Sequence, residues 1–324
     1  MRVPIRLLAS SGIYSTIVTG TRALLPKMSA QLLDFDANLL HIDLVGDMER
    51  HIVTAQDAGV AYFVVPGSTM RDSEQALALS RQRPASVLAT VGIHPFRASE
   101  IVYCPDALDA LEVLVADDHC LAVGECGLDY SDGFPAREAQ LPWFRAHLQL
   151  AAKYDLPLYL HIRDAHGDFL RAMDDEKPPA SVSVCVHCFT GSTAELAEYC
   201  RRGYYISLSG HVIRMQAKSK QPGEAQGSDL AANPVADQAC LAEWLRLIPP
   251  DRLLIETDAP YMGFKGCRAT EVTKKAQNYP NVPASLPLVA RAVASAGGID
   301  YEELAARTTA NALRFFSFAD KKYC

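Results

Sequence analysis

The chain has 324 residues, of which 49% are hydrophobic and 21% charged, enough apolar material for a large buried core and the wrong balance for a disordered polymer. A formal net charge of −7 argues against a protein that coats nucleic acid through a global basic surface, although an enzyme that grips phosphate through metal ions needs no such coat. The nine cysteines are odd in number and scattered rather than spaced as a disulfide framework, which points to a reducing compartment, and no apolar run reaches membrane-spanning length.

The first 31 residues stand apart. No acidic residue precedes Asp34, while Arg2, Arg6, Arg22 and Lys27 are interleaved with Ser and Thr, the composition of a transit peptide. A disordered extension, or an early start with Met28 just ahead of the first strand, explains the segment equally well. The expected compartment is therefore the cytoplasm or nucleus, or the mitochondrion if the segment is a targeting signal.

Eight short apolar or β-branched runs follow, at residues 32–40, 61–66, 87–94, 121–129, 158–163, 182–189, 204–212 and 253–257. Between them, stretches such as 47–58, 137–153 and 193–202 carry apolar residues at three- and four-residue intervals, the helical period. Eight strands alternating with helices predict an α/β protein that is a single (β/α)8 TIM barrel of the metal-dependent hydrolase type. The barrel is expected over residues 32–318, with a polar insertion near 215–234 and a tail at 319–324. An open doubly wound sheet is the structural runner-up, but no G-x-G-x-x-G follows a strand. Cys185 and Cys188 have the C-x-x-C interval inside the sixth run; positions three apart on a strand point to opposite faces, so both are expected to be small buried apolar side chains.

The informative residues sit at strand ends. His94 ends the third run, Glu125 lies near the end of the fourth, His161 and His187 close the fifth and sixth, and Asp258 follows the eighth. Barrel strands converge at their carboxyl ends on one rim, which would bring five distant metal-ligating residue types into one site. One such residue alone is more often a hydrogen-bonded core group. Five together are hard to explain that way, because burying several ionisable groups without a cation is costly. Strand alternation puts Glu125 on a face with Gly127 and Asp129, and His161 on a face with Arg163. Glu256 shares a face with Asp258, one layer deeper, as a buried structural or supporting carboxylate. The loop after the last strand carries Lys265, Arg268, Lys274 and Lys275, a basic cluster placed to meet a polyanion, or equally an ordinary solvated loop.

At these positions the sequence resembles the TatD family of metal-dependent deoxyribonucleases. The matching stretches are Gly92-Ile93-His94-Pro95, Gly124-Glu125-Cys126-Gly127-Leu128-Asp129, Leu160-His161-Ile162-Arg163-Asp164-Ala165, Val186-His187-Cys188-Phe189-Thr190-Gly191 and Ile255-Glu256-Thr257-Asp258-Ala259-Pro260-Tyr261. The resemblance implies a barrel that hydrolyses phosphodiesters in DNA, and by extension RNA, with two or three divalent metals. Its expected mode is exonucleolytic, on single-stranded ends, by a monomer or small homo-oligomer. It further implies that Glu125 is shared between metals, that His161 and His187 ligate one of them, and that Asp258 is a ligand that also orients water. His94 would touch phosphate or water, with Arg163 and Lys265 as further phosphate contacts. DNA repair and DNA breakdown both stay open as the process served.

Two departures matter. Many relatives carry H-x-H on the first strand, where this chain has Asp36-Ala37-Asn38; oxygen donors there move the site toward Mg²⁺ or Mn²⁺ and away from tight Zn²⁺, though Zn²⁺ stays open. Asn281-Val282-Pro283 stands where relatives often have Asn-Glu-Pro. Two rival readings share the same residues: a hydrolase of a small ester, lactone or amide on the same barrel, and a binding protein that lost turnover with its H-x-H. No G-x-S-x-G elbow or phosphate-binding P-loop supports a serine hydrolase or an NTPase.

Overall fold

In the computed structural model, residues 31–219, 241–268 and 279–316 are described. Residues 1–30, all but the start of 215–234, Lys274, Lys275 and the tail 319–324 lie outside them. The eight strands are β1 (Leu32–Asp34), β2 (Val60–Val65), β3 (Val87–Val91), β4 (Cys120–Asp129), β5 (Leu158–Arg163), β6 (Val184–Val186), β7 (Tyr205–Leu208) and β8 (Leu253–Ile255). They pair in sequence order, all parallel, with helices between them. The β8–β1 seam is closed by residues at and just beyond the strand ends: Phe35 N–H donates to the Ile255 carbonyl, Asp258 N–H to that of Asp36, and Asn38 N–H to that of Ala259. This is a (β/α)8 barrel.

Parallel strands covered by helices on one side and a packed interior on the other must be apolar on both faces, and β3, Val-Leu-Ala-Thr-Val, is buried along its whole length. Two apolar layers result. One lies between the strands and the surrounding helices. The other fills the barrel interior with Leu33, Phe35, Val64, Leu88, Ala122, Tyr159, Cys185, Tyr205 and Leu254. The terminal helix Tyr301–Phe315 closes the amino-terminal end of the barrel, with Phe315 and Phe316 5.3 and 5.7 Å from the Phe35 ring. That end is plugged by aromatic rings, and the partly exposed His94 and His161 lie at the opposite, carboxyl ends of the strands.

Several strands are shorter than the apolar runs that predict them. β1, β6, β7 and β8 stop at Asp34, Val186, Leu208 and Ile255, because the main chain leaves the ladder where it must present polar rim side chains or begin the next helix. One helix runs over Arg137–Tyr154, and another over Thr193–Arg201 opens with a capping box of Ser192 and Glu195. No helix among the described residues is long and apolar enough to cross a membrane.

A candidate metal centre at the mouth of the barrel

Strand alternation carries each chain from the apolar interior layer to the rim. Two residues beyond interior Tyr159 stands His161, two beyond Cys185 stands His187 and two beyond Leu254 stands Glu256, while Asp258 follows past the end of β8 at φ +53°. β4 joins them through a backbone only glycine allows. Gly124 and Gly127 sit at φ +145° and +147°, and a Cβ on them would lie 2.1 Å from the Tyr159 carbonyl oxygen and 1.9 Å from that of His161. Strands β4 and β5 therefore press together where Glu125 and His161 emerge.

Glu125 is the hub. Its Oε1 lies 3.1 Å from His94 Nε2, 3.3 Å from His161 Nδ1 and 2.8 Å from His187 Nε2. The other side of the His187 ring faces acid: Nδ1 is 3.4 Å from Asp36 Oδ2 and 3.5 Å from Glu256 Oε1. Among the described residues two groups of potential donors emerge, His94–Glu125–His161 and Asp36–Glu125–His187, each with its ligand atoms within 4.8 Å of one another, and Glu125 belongs to both. Asn38 ties in the seam by donating to Asp36 Oδ1 at 2.9 Å and Asp258 Oδ1 at 3.4 Å. Asp258 belongs to neither three-residue group; it stands beside them, linked through Asn38. Arg163 is half-buried at the end of β5, in register with Asp129, and Lys265 is exposed in the loop after β8.

Three supporting residues escaped the sequence reading as site members. Asp129 Oδ2 accepts from His161 Nε2 at 2.8 Å and so orients the imidazole whose other nitrogen faces Glu125. Asp129 is itself fixed, its backbone bracketed by Gln140, which accepts from its N–H and donates to its carbonyl. The Tyr159 hydroxyl donates to Asp36 Oδ2 at 2.5 Å, and its ring stacks 5.0 Å from His187. Asp34 accepts from the Thr257 N–H and hydroxyl, locking β1 to β8 beneath the rim. Inward parity with Glu125 and His161 was the available signal for Asp129 and Tyr159.

Cys188 corrects the sequence expectation. Cys185 is buried in the interior layer, but Cys188 lies past the end of β6 at φ +43°, where alternation no longer holds. Its thiol sits 3.3 Å from the Ser209 hydroxyl and interacts with Asp258 at the rim.

The electrostatics are those of a site built for cations. Glu125 is buried, which would raise its pKa, yet the imidazoles around it hold it well below the carboxylate range. Burial, then the charge of Asp258, pushes Asp36 well up. Asp258 is raised to about 7, by burial first, against the pull of His187, with Glu256 and Glu125 adding repulsion. Burial would lower His187, but Glu125 and Glu256 raise it well above the usual range. The side-chain oxygens of fully buried Glu256 and Nδ1 of His187 make no hydrogen bond, a costly state for ionisable groups unless an ion completes it. The oxygen and imidazole donors, packed and partly unsatisfied, fit divalent metal.

Residues 34–317 match the family model described as TatD related DNase. The chain belongs to this family. As a TatD-related DNase it is a metal-dependent hydrolase of phosphodiester bonds in nucleic acid. It is 34% identical over 286 residues to the 3'-5' ssDNA/RNA exonuclease TatD of Erwinia tasmaniensis, covering 88% of this chain and all of that protein. A protein of the same name from Shigella flexneri is 34% identical over 290 residues, with 89% and 100% covered. Among solved structures, the TatD homologue YJJV from Escherichia coli superposes with a TM-score of 0.72 at 25% identity, covering 89% of this chain and 98% of that one. A β-aspartyl dipeptidase from Fervidobacterium islandicum reaches only 0.54 at 15% identity, with 89% and 73% covered. That likeness reflects the fold alone, so it lends no weight to small-amide hydrolysis against the TatD family match.

Proposed function

We propose that this chain is a 3′-to-5′ exonuclease on single-stranded DNA, and also on RNA, using Mg²⁺ or Mn²⁺ in two subsites that share Glu125. The observation that carries this reading is the double membership of Glu125: one carboxylate common to two donor groups is the arrangement that bridges paired ions. Glu125 and His161 make one subsite, with His94 beside it as a hydrogen-bond donor; Asp36 and His187 complete the other, with Asp258 and Asn38 at its edge. A donor set this rich in carboxylate favours hard cations, while the imidazoles make Mn²⁺ the better fit of the two. Bound divalent ions would neutralise the phosphodiester, supply a nucleophilic water at neutral pH and stabilise the departing alkoxide.

The chain's own groups do the rest. Asp258, linked to the second subsite through Asn38, is the carboxylate placed to accept a proton from the attacking water. Glu125 stays ionised and holds the two subsites together. In its neutral form His94 accepts the Phe96 N–H at Nδ1, which leaves Nε2 carrying the proton, toward Glu125 and any phosphoryl oxygen seated there. Arg163 and Lys265 are the further candidate phosphate contacts, one at the rim and one on the loop above it.

The test is time-resolved digestion of end-labelled single- and double-stranded DNA and RNA with Mg²⁺, Mn²⁺, Zn²⁺ or EDTA. The expected result is mononucleotide release from 3′ ends with Mn²⁺ or Mg²⁺ and none in EDTA. Nuclease activity surviving in Glu125→Ala/Asp258→Ala, or persisting unchanged in EDTA, would refute the mechanism.

A further inference from the structure

A net charge of −7 gives this chain little global attraction for a phosphate backbone, and the cation nearest to His94 in sequence is already engaged, since Arg97 makes two hydrogen bonds to Glu100 at 2.8 and 3.1 Å. The mouth offers aromatic surface instead. The Phe134 ring lies nearly parallel to His161, 19° at 6.2 Å, and 6.2 Å from His94. Phe96 packs on Phe134 edge-to-face at 5.4 Å and keeps 45% of its surface exposed. The backbone fixes its place, because the Phe96 N–H donates to His94 Nδ1 at 3.0 Å. Two ring-to-ring steps thus lead from a nitrogen-bearing flank of the metal centre to a half-exposed ring, with the Arg97 guanidinium 5.3 Å from its centroid. A lone exposed Phe on a surface needs no explanation; one that continues a ring stack out of a catalytic mouth is a different case.

We propose that Phe96 and Phe134 form a base-stacking shelf for a nucleobase flanking the scissile phosphate, so that part of the substrate's affinity comes from π-stacking rather than charge. The inference rests on the nuclease reading above and deepens it. A phosphodiester over Glu125 holds its neighbouring bases one sugar away, and the shelf begins at the His161 ring beside that carboxylate. A base reaches that shelf only after leaving its own stack and its pairing partner, so the shelf selects unpaired ends. Every base has a π face, so it selects without regard to sequence.

The test pairs ring deletion with base deletion. Initial rates with Mn²⁺ are measured for wild type, Phe96→Ala and Phe96→Trp on matched oligonucleotides whose 3′-terminal or penultimate nucleotide is normal or abasic. Wild type is expected to lose about ten- to a hundredfold in kcat/KM when the base is removed at one of these positions. Phe96→Ala should show a similar loss on the normal strand and little further loss on the abasic one, while Phe96→Trp keeps the discrimination. Varying the salt should leave the slope of affinity against ionic strength the same in wild type and Phe96→Ala, since no phosphate contact is lost. Equal fold-losses for Phe96→Ala on normal and abasic strands, or no penalty for base removal in wild type, would overturn the shelf. If wild type cleaves no strand with any metal, the nuclease reading has failed separately. The shelf is then judged by quenching of a 3′-terminal 2-aminopurine in EDTA: quenching that Phe96→Ala abolishes supports it, and none in wild type overturns it.

Discussion

Acidification should weaken this protein through a histidine that never touches the metal centre. His147 is fully buried on the helix Arg137–Tyr154. Its Nδ1 lies 2.6 Å from the Trp143 carbonyl, which can only accept, and its Nε2 lies 3.0 Å from the Ile93 N–H, which can only donate. The ring is therefore neutral, with its proton on Nδ1, and it anchors the residue before His94. Burial lowers its pKa from 6.5 to about 4. The unfolded chain binds this proton more readily, so the stability contributed by the neutral ring is complete above about 6.5 and is lost as pH falls toward 4. The shift corresponds to roughly 3 kcal/mol in all, of which about 2.5 kcal/mol should be gone by pH 4.5. Urea unfolding of wild type and His147→Gln at matched pH isolates this contribution from the other titrating groups. Wild type should lose about 2.5 kcal/mol more than the variant between pH 7.5 and 4.5; parallel curves would refute the assignment of His147 as a neutral buried linker.

Asp129→Asn should lower Mn²⁺ affinity about ten- to a hundredfold by freeing His161 to rotate; calorimetric titration giving an affinity within twofold of wild type would remove Asp129 from the site. Tyr159→Phe takes the hydroxyl from a buried Asp36, so two-site Mn²⁺ titration should show one subsite weakened about tenfold and the other nearly unchanged, at a stability cost of about 1–3 kcal/mol. Equal weakening of both subsites would speak against Asp36 belonging to only one of them. In Gly127→Ala the new Cβ would fall 1.9 Å from the His161 carbonyl oxygen. The melting temperature should drop by about 5–8 °C for a loss of about 3–5 kcal/mol, and a melt within two degrees of wild type would mean that β4 and β5 can separate there without cost.

The sequence by itself determined the class of fold and the rim membership of the principal residues. Eight apolar runs alternating with helical periods left few alternatives to a parallel barrel, and the strand period of two sent His161 and His187 to the same side as the interior residues below them, whereas Asp258 is turned by a left-handed backbone past the end of β8. It did not reveal where the strands end. Cys188 was placed by alternation on a strand that has already stopped at Val186, and Asp36 and Asn38 lie beyond β1, where backbone bonds to Asp258 and Ala259 govern their position.

Only the tertiary structure decided which of these groups face one another. That Glu125 meets three imidazoles, that Asp129 orients one of them and that Tyr159 holds Asp36 depend on strand stagger and on the contact between β4 and β5 at Gly124 and Gly127. Periodicity is a property of one strand and reports only which way a side chain points. The distances across the mouth come from how eight strands tilt and close around a packed interior, which is a property of all of them together.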